Sequence, residues 1–132
     1  MQKIWICGAK GQIGRAINEV IDKLEYKILD TDIDDLDITD TDEVLRFGEM
    51  NRPDVIINCA GLTDLQECEN DLAKAFKTNA LGARNLSIVA RKVEAKLVHI
   101  STDDVFDGKS KDRRRKILTD FHLHMHREFV AL

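Results

Sequence analysis

KIWICGAKGQIG, residues 3–14, changes character twice within one short stretch. Lys3–Cys7 is an apolar run that stops at a glycine, the pattern of a strand buried on both faces. Gly8, Gly11 and Gly14 then recur at every third position. From Gln12 to Leu24, the apolar Ile13, Ala16, Ile17, Val20, Ile21 and Leu24 fall at the three-and-four spacing of an amphipathic helix. Strand, glycine turn and helix predict the opening of a βαβ unit. In such a turn Gly8 allows a tight exit from the strand, Gly11 lets a diphosphate approach bare main chain, and Gly14 lets the helix lie close to the sheet. The first helical turn offers free amide hydrogens and partial positive charge to an anion. The stretch therefore predicts a dinucleotide site.

Outward from it, Tyr26–Leu29 reads as a second strand running into DTDIDDLDITD, residues 30–40. An acid after the second strand of such a unit suits the adenosine ribose; Asp32 is the first candidate and Asp30 its rival. The same acids also fit a solvated loop. A carboxylate favours the free 2′-hydroxyl of NADH and repels a 2′-phosphate. Ile33, Asp34 and Asp35 supply no arginine, and Lys10 is the only cation of the glycine turn. The expected coenzyme is NAD(P)H, with NADH favoured.

Asp40 or Thr41 can cap a helix reaching about Asn51, which Pro53 ends. Asp54–Cys59 predicts a third strand, Asp71–Lys92 a helix and Lys96–Ile100 a fourth strand. Strands alternating with helices predict an α/β fold, a Rossmann-like parallel sheet with helices on both faces and an incomplete second half. The expected strand order is 3-2-1-4, with the ligand beside strands 1 and 4 at their C-terminal ends. Gly8–Gly14, Asp30–Asp32, Asn58–Thr63 and Ser101–Asp104 then share one edge.

The length, 132 residues, suits one domain. Hydrophobic residues at 43% and charged residues at 33% exclude a disordered polymer, and no apolar run is long enough to cross a membrane. The N-terminus does not read as a secretory signal, so the expected location is cytoplasmic. Cys7, Cys59 and Cys68 lack metal-ligand spacing and read as buried thiols. The net charge of −4 is unevenly spread: residues 1–108 hold 13 Lys/Arg against 21 Asp/Glu, and residues 109–132 hold 7 against 3. This divides a dinucleotide-binding domain, 1–108, from a basic, atypical tail, 109–132. Its KSKDRRRK is one basic run without interleaved aromatics, a solvated loop rather than a nucleic-acid site. His122, His124 and His126 alternate without acidic or cysteine partners nearby, and no metal site is expected.

GAKGQIG, LDITD, RPDVIINCAGLTD, TNALGARNL and LVHISTDDVFDG, in that order, resemble the N-terminal part of the dTDP-4-dehydrorhamnose reductases, in the extended branch of the short-chain dehydrogenase/reductases. The resemblance implies that Gly11, Gln12 and Ile13 meet the pyrophosphate, Asp32 the ribose, and Asp37 with Ile38 the adenine. It places Ala60, Gly61, Leu62 and Thr63 along the coenzyme towards the nicotinamide. Asn79 matches an asparagine of the site's polar network, although by itself it also reads as an ordinary helix-face residue. Thr102 matches the catalytic hydroxyl that bonds the sugar's C4 oxygen, with Asp103 beside the substrate. Asp104 stands where such enzymes carry a tyrosine.

These enzymes deliver a proton from the tyrosine of a Tyr-x-x-x-Lys motif. Here the only tyrosine is Tyr26 and the motif is absent. His126 falls near the expected position, but Val130, not a lysine, lies four residues on. The resemblance thus implies a reductase of nucleotide-sugar biosynthesis acting on dTDP-4-dehydrorhamnose, truncated here and weakly active or inactive alone. The shift in composition after Gly108 suggests a rearranged or frameshifted terminus. The alternatives are a non-catalytic dinucleotide-binding regulatory module, such as a regulatory subunit of methionine adenosyltransferase in the same extended family, and an incomplete domain that forms a homodimer through an exposed fourth strand.

Overall fold

In the computed structural model of the chain, residues 1–62, 65–100 and 129–131 are described. Strand β1 (Gln2–Cys7) leads through the glycine turn into α1 (Gln12–Val20), and β2 (Tyr26–Thr31) returns parallel to β1. Helix α2 (Thr41–Asn51) precedes β3 (Val55–Asn58). Two short helices, α3 (Leu65–Asn70) and α4 (Leu72–Phe76), lead into a π-helical turn at Lys77–Gly82, then α5 (Ala83–Val93) and β4 (Lys96–His99). A fifth strand, β5 (Phe129–Ala131), pairs parallel with β4.

The order is β2-β1-β3-β4-β5, not the expected 3-2-1-4. The reason lies in residues 33–40, which form a loop whose buried Leu36 and Ile38 join Val44 of α2 in the cluster around Trp5. Helix α2 therefore covers the face opposite α1. A right-handed crossover on the opposite face steps to the opposite side of β1, so β3 lies beside β1, away from β2. The switch point falls between β1 and β3, not beside strand 4.

Side chains alternate through β1 as the pleat requires. Trp5 and Cys7 face the larger core with Ile56, Leu86, Val89 and Leu97, while Ile4 and Ile6 face α1 through Ile17 and Ile21. Complete burial raises the Cys7 thiol well above its ordinary value, so it is an inert core group. Cys59, half-buried, is raised for the same reason.

Other differences have local causes. Helix α1 ends at Val20, before the expected Leu24, because Ile21 is extended and the Leu24 amide donates to Asp22 Oδ1 at 2.8 Å; Val20 and Leu24 are exposed. Asp40 caps α2, accepting from the Glu43 amide at 3.0 Å. The single helix expected over 71–92 is divided by the π turn. The fourth strand is not an edge, because β5 covers it, and the exposed-edge argument for a homodimer is corrected accordingly.

Gly8 fixes the exit from β1. Its φ is +73°, and a Cβ there would lie 2.6 Å from the Ala60 nitrogen. Gly8→Ala is expected to cost at least about 2 kcal/mol, since it combines left-handed strain with a clash against main chain that cannot rotate away. Urea denaturation of the variant checks this.

Candidate functional site

The C-terminal ends of β1, β2 and β3 enclose a cleft of about 720 Å³. Gly8 and Gly11 form its floor, Asp32, Ile33 and Leu36 to Thr39 supply one wall, and Cys59 to Leu62 supply the other; Lys10, Lys74, Lys77 and Thr78 close the rim. Of the expected residues, the fold brings Gly8, Gly11, Asp32, Asp37, Ile38, Ala60, Gly61 and Leu62 to this one space. Thr63, Thr102 and Asp103 lie outside the described residues, as do Asp104 and the tail histidines.

The turn's own polar groups hold it in shape. The Thr31 carbonyl accepts from the amides of Gly8 at 2.9 Å and Ala9 at 3.1 Å, and the Lys10 amide donates to Asp32 Oδ2 at 2.8 Å. The Gly11 amide donates to the Gly8 carbonyl at 3.2 Å. The buried Thr31 hydroxyl accepts from Trp5 Nε1 at 2.8 Å, tying the turn to the core. Four successive amides are thus used internally.

The next three are not. Gly11 is the N-cap of α1 and has no side chain to satisfy the first turn, which also lacks acidic residues. Among the described residues, the amides of Gln12, Ile13 and Gly14 have no hydrogen-bond partner. Such a helix end carries concentrated donors and positive potential. Gln12 and Ile13 do not line the cleft with their side chains; Ile13 is 45% exposed.

The two acids weighed in sequence separate clearly. Asp32 stands in the cleft with its oxygens on the amides of Lys10 and Ile33. Asp30 points away from it and accepts from Asn18 Nδ2 at 2.9 Å. Lys10 Nζ reaches Asp34 at 3.1 Å, and this bond raises the Lys10 pKa and keeps a full positive charge at the rim. Asp37 Oδ1 accepts from the Thr39 amide at 2.9 Å and hydroxyl at 2.7 Å, shaping the turn that seats Ile38.

Three asparagines complete the walls. Buried Asn58 accepts the Ala60 amide at 3.0 Å and turns its amide group to His99 Nδ1, also 3.0 Å away. Asn79 meets the main chain of Leu62, and buried Asn85 donates to the Ile38 carbonyl at 3.0 Å. Sequence reasoning named Asn79 only through resemblance, placed Asn58 on the ligand edge without giving it a role, and passed over Asn85 and His99. Asn58 and His99 carry a signal: each is a polar residue at the end of an apolar strand run.

The fold and cleft define a Rossmann-like α/β domain with a dinucleotide-sized groove at its switch point. The chain belongs to the family described as the RmlD substrate binding domain, whose model matches residues 1–118. It is 36% identical over 109 residues to a dTDP-4-dehydrorhamnose reductase of Aggregatibacter actinomycetemcomitans, covering 82% of this chain and 37% of that one. The corresponding enzyme of Mycolicibacterium smegmatis is 38% identical, with 84% of this chain and 33% of the relative covered. A crystal structure of the Bacillus anthracis dTDP-4-dehydrorhamnose reductase in complex with NADP superposes with a TM-score of 0.87 at 31% identity, covering 99% of this chain and 52% of that one. The chain therefore spans about a third to a half of the length of these relatives.

Because Asn58 Oδ1 is committed to Ala60, its Nδ2 must donate to His99, so Nδ1 is an acceptor and the ring is neutral with its proton on Nε2. Burial likewise lowers the His99 pKa. The unfolded chain then binds the extra proton, and stability rises with pH. This contribution is complete above the ordinary histidine value of about 6.5 and is lost as pH falls through the lowered folded value. His99→Asn keeps an acceptor at the Nδ1 position for Asn58 and cannot titrate. Urea midpoints measured on either side of pH ~6.5 should shift less in this variant than in the parent.

Proposed function

We propose that this chain forms the coenzyme-binding part of an NAD(P)H-dependent reductase acting on a nucleotide-sugar ketone of the dTDP-4-dehydrorhamnose class. The observation that carries the reading is the uncapped start of α1 behind Gly11. The fold does not require glycine at that position: φ is −71° and ψ 172°, open to any residue, and an added Cβ would meet only the Gly8 carbonyl, at 3.3 Å. Glycine without a cap leaves room and free donors for an anionic ligand at a cleft of dinucleotide size. The NADP bound to the Bacillus anthracis relative supports the same reading.

In this reading the Gln12, Ile13 and Gly14 amides hold the diphosphate, Asp32 the ribose, Asp37 with Ile38 the adenine, and Ala60 to Leu62 border the nicotinamide. When bound, the coenzyme supplies hydride. The chain's own residues orient it and exclude water. Asp32 favours a free 2′-hydroxyl, but Lys10, held at the rim by Asp34, offers a countercharge to a 2′-phosphate, so the site takes either coenzyme and the leaning to NADH is not retained. Thr102 would bond the ketone oxygen, with Asp103 beside the sugar. The Tyr-x-x-x-Lys pair is absent from the sequence, so this chain binds coenzyme and turns over slowly, losing about 10²–10⁴-fold for want of a proton donor.

Gly11→Asp tests the site with opposite signs. The carboxylate caps α1 and keeps or raises stability by a few tenths of a kcal/mol, while it repels a diphosphate and weakens NADH and NADPH binding at least about tenfold. Calorimetric titration and urea denaturation read the two effects. Equal binding by parent and variant would overturn the reading. Binding without turnover of the dTDP-sugar favours the regulatory alternative.

A further inference from the structure

We propose that Lys77 is the cation that neutralises the coenzyme's diphosphate, reaching from the rim to the anion held at the start of α1. The inference rests on the coenzyme reading above. Among the described residues, three lysines line the cleft, and two of them already hold an acid. Lys10 Nζ lies 3.1 Å from Asp34 and Lys74 Nζ 2.8 Å from Glu67. Lys77 is exposed and, among the described residues, has no acid within ion-pair distance. Its own helical run denies it one: the residues three and four positions away are Ala73, Lys74, Ala80 and Leu81.

Charge balance explains why such a cation is needed. On the cleft lining Lys10, Lys74 and Lys77 stand against Asp32, Asp37 and Glu67, so the lining is neutral as a whole before a ligand enters. A diphosphate adds a negative charge on each phosphate. The first turn of α1 answers with roughly half a positive charge, carried by main-chain amides. Lys10 and Lys74 can add theirs only by releasing Asp34 or Glu67, whereas Lys77 releases nothing. Placement favours it too. Lys77 opens the π turn, Asn79 of that turn meets Leu62 on one wall, and Gly82 stands against the other, where a Cβ would lie 2.6 Å from Ile38 Cδ1. The turn thus bridges the cleft on its rim side, opposite the glycine floor beside which the α1 amides open.

The test measures Kd for NADH and NADPH by calorimetry on the 132-residue chain and on two variants. Lys77→Met keeps the apolar stem and the helical preference without the charge, and Lys77→Arg restores the charge. In low salt, Lys77→Met should weaken both coenzymes alike, about two- to fivefold, the range of an exposed ion pair. In about 1 M salt, where the screening length is about 3 Å, the difference should vanish. Lys77→Arg should bind within about twofold of the parent. Lys74→Met, which removes a cation already committed to Glu67, should lose less than Lys77→Met. Melting temperatures should agree within about 3 °C, because the side chain is exposed. Equal binding by the parent and Lys77→Met in low salt overturns the role. So does a loss that persists in high salt, or a loss confined to NADPH, which would assign Lys77 to the 2′-phosphate. If the parent binds neither coenzyme, the coenzyme reading itself falls; if the parent binds and Lys77→Met matches it, only the role of Lys77 falls.

Discussion

The contact between the Gly8 and Ala60 main chains sets the geometry on which the rest of the site depends. Parallel neighbours β1 and β3 bring two chain exits to the same edge of the sheet, and only a residue without Cβ allows them to meet. The Thr31 carbonyl then collects the Gly8 and Ala9 amides from the β2 side. Three strand ends are thereby drawn together by main-chain groups alone. The floor of the cleft and the aim of α1 follow from that meeting. Trp5, completely buried, anchors it from below through the Thr31 hydroxyl.

Polar groups around the cleft fall into two sets with different physical purposes. The amides of residues 8–11, Ala60 and Leu62 are satisfied within the protein, so these segments need little rearrangement when a ligand arrives. The amides of residues 12–14 are left to solvent at the N-terminus of α1, where the helix end concentrates positive potential. A rigid frame with a few open donors loses less conformational entropy on binding than a loop that must order itself. The neutral tautomer of His99 belongs to the first set. Its acceptor nitrogen completes Asn58, which in turn shapes the turn containing Ala60.

What the sequence revealed depended on whether the cause was local. The glycine turn, a cap at Asp40 or Thr41 and an apolar first strand buried on both faces are consequences of a few adjacent residues, and each was legible. The order of strands was not, because it turns on which face Leu36 and Ile38 cover, a property of packing rather than of pattern. Asp32 was preferred to Asp30 from the sequence, and the two differ in space because Asp30 lies within β2, where Asn18 of α1 holds it, whereas Asp32 lies past the strand in the turn, on the amides of Lys10 and Ile33. The π turn escaped notice for a related reason: apolar periodicity continues through residues 71–92, and the turn's neighbours, Leu62 on one wall and Ile38 on the other, are distant in the chain. Strand β5 lies in a segment whose composition suggested no period, yet Phe129–Ala131 completes pairing on β4.

The division of labour along the sheet bears on what the chain does. The groups proposed for the coenzyme come from the exits of β1, β2 and β3, from the first turn of α1 and from the helical run that follows β3. Residues of all three strands pack in the larger core, while α1 packs on the smaller one through Ile17 and Ile21. The proposed coenzyme cleft is therefore lined by residues that precede β4. Thr102, the hydroxyl proposed for the ketone oxygen, follows β4 in sequence and lies outside the described residues. Under the proposed function, coenzyme binding rests on main chain held by its own neighbours before β4, whereas reduction of the sugar adds a demand for side chains that follow β4 in sequence.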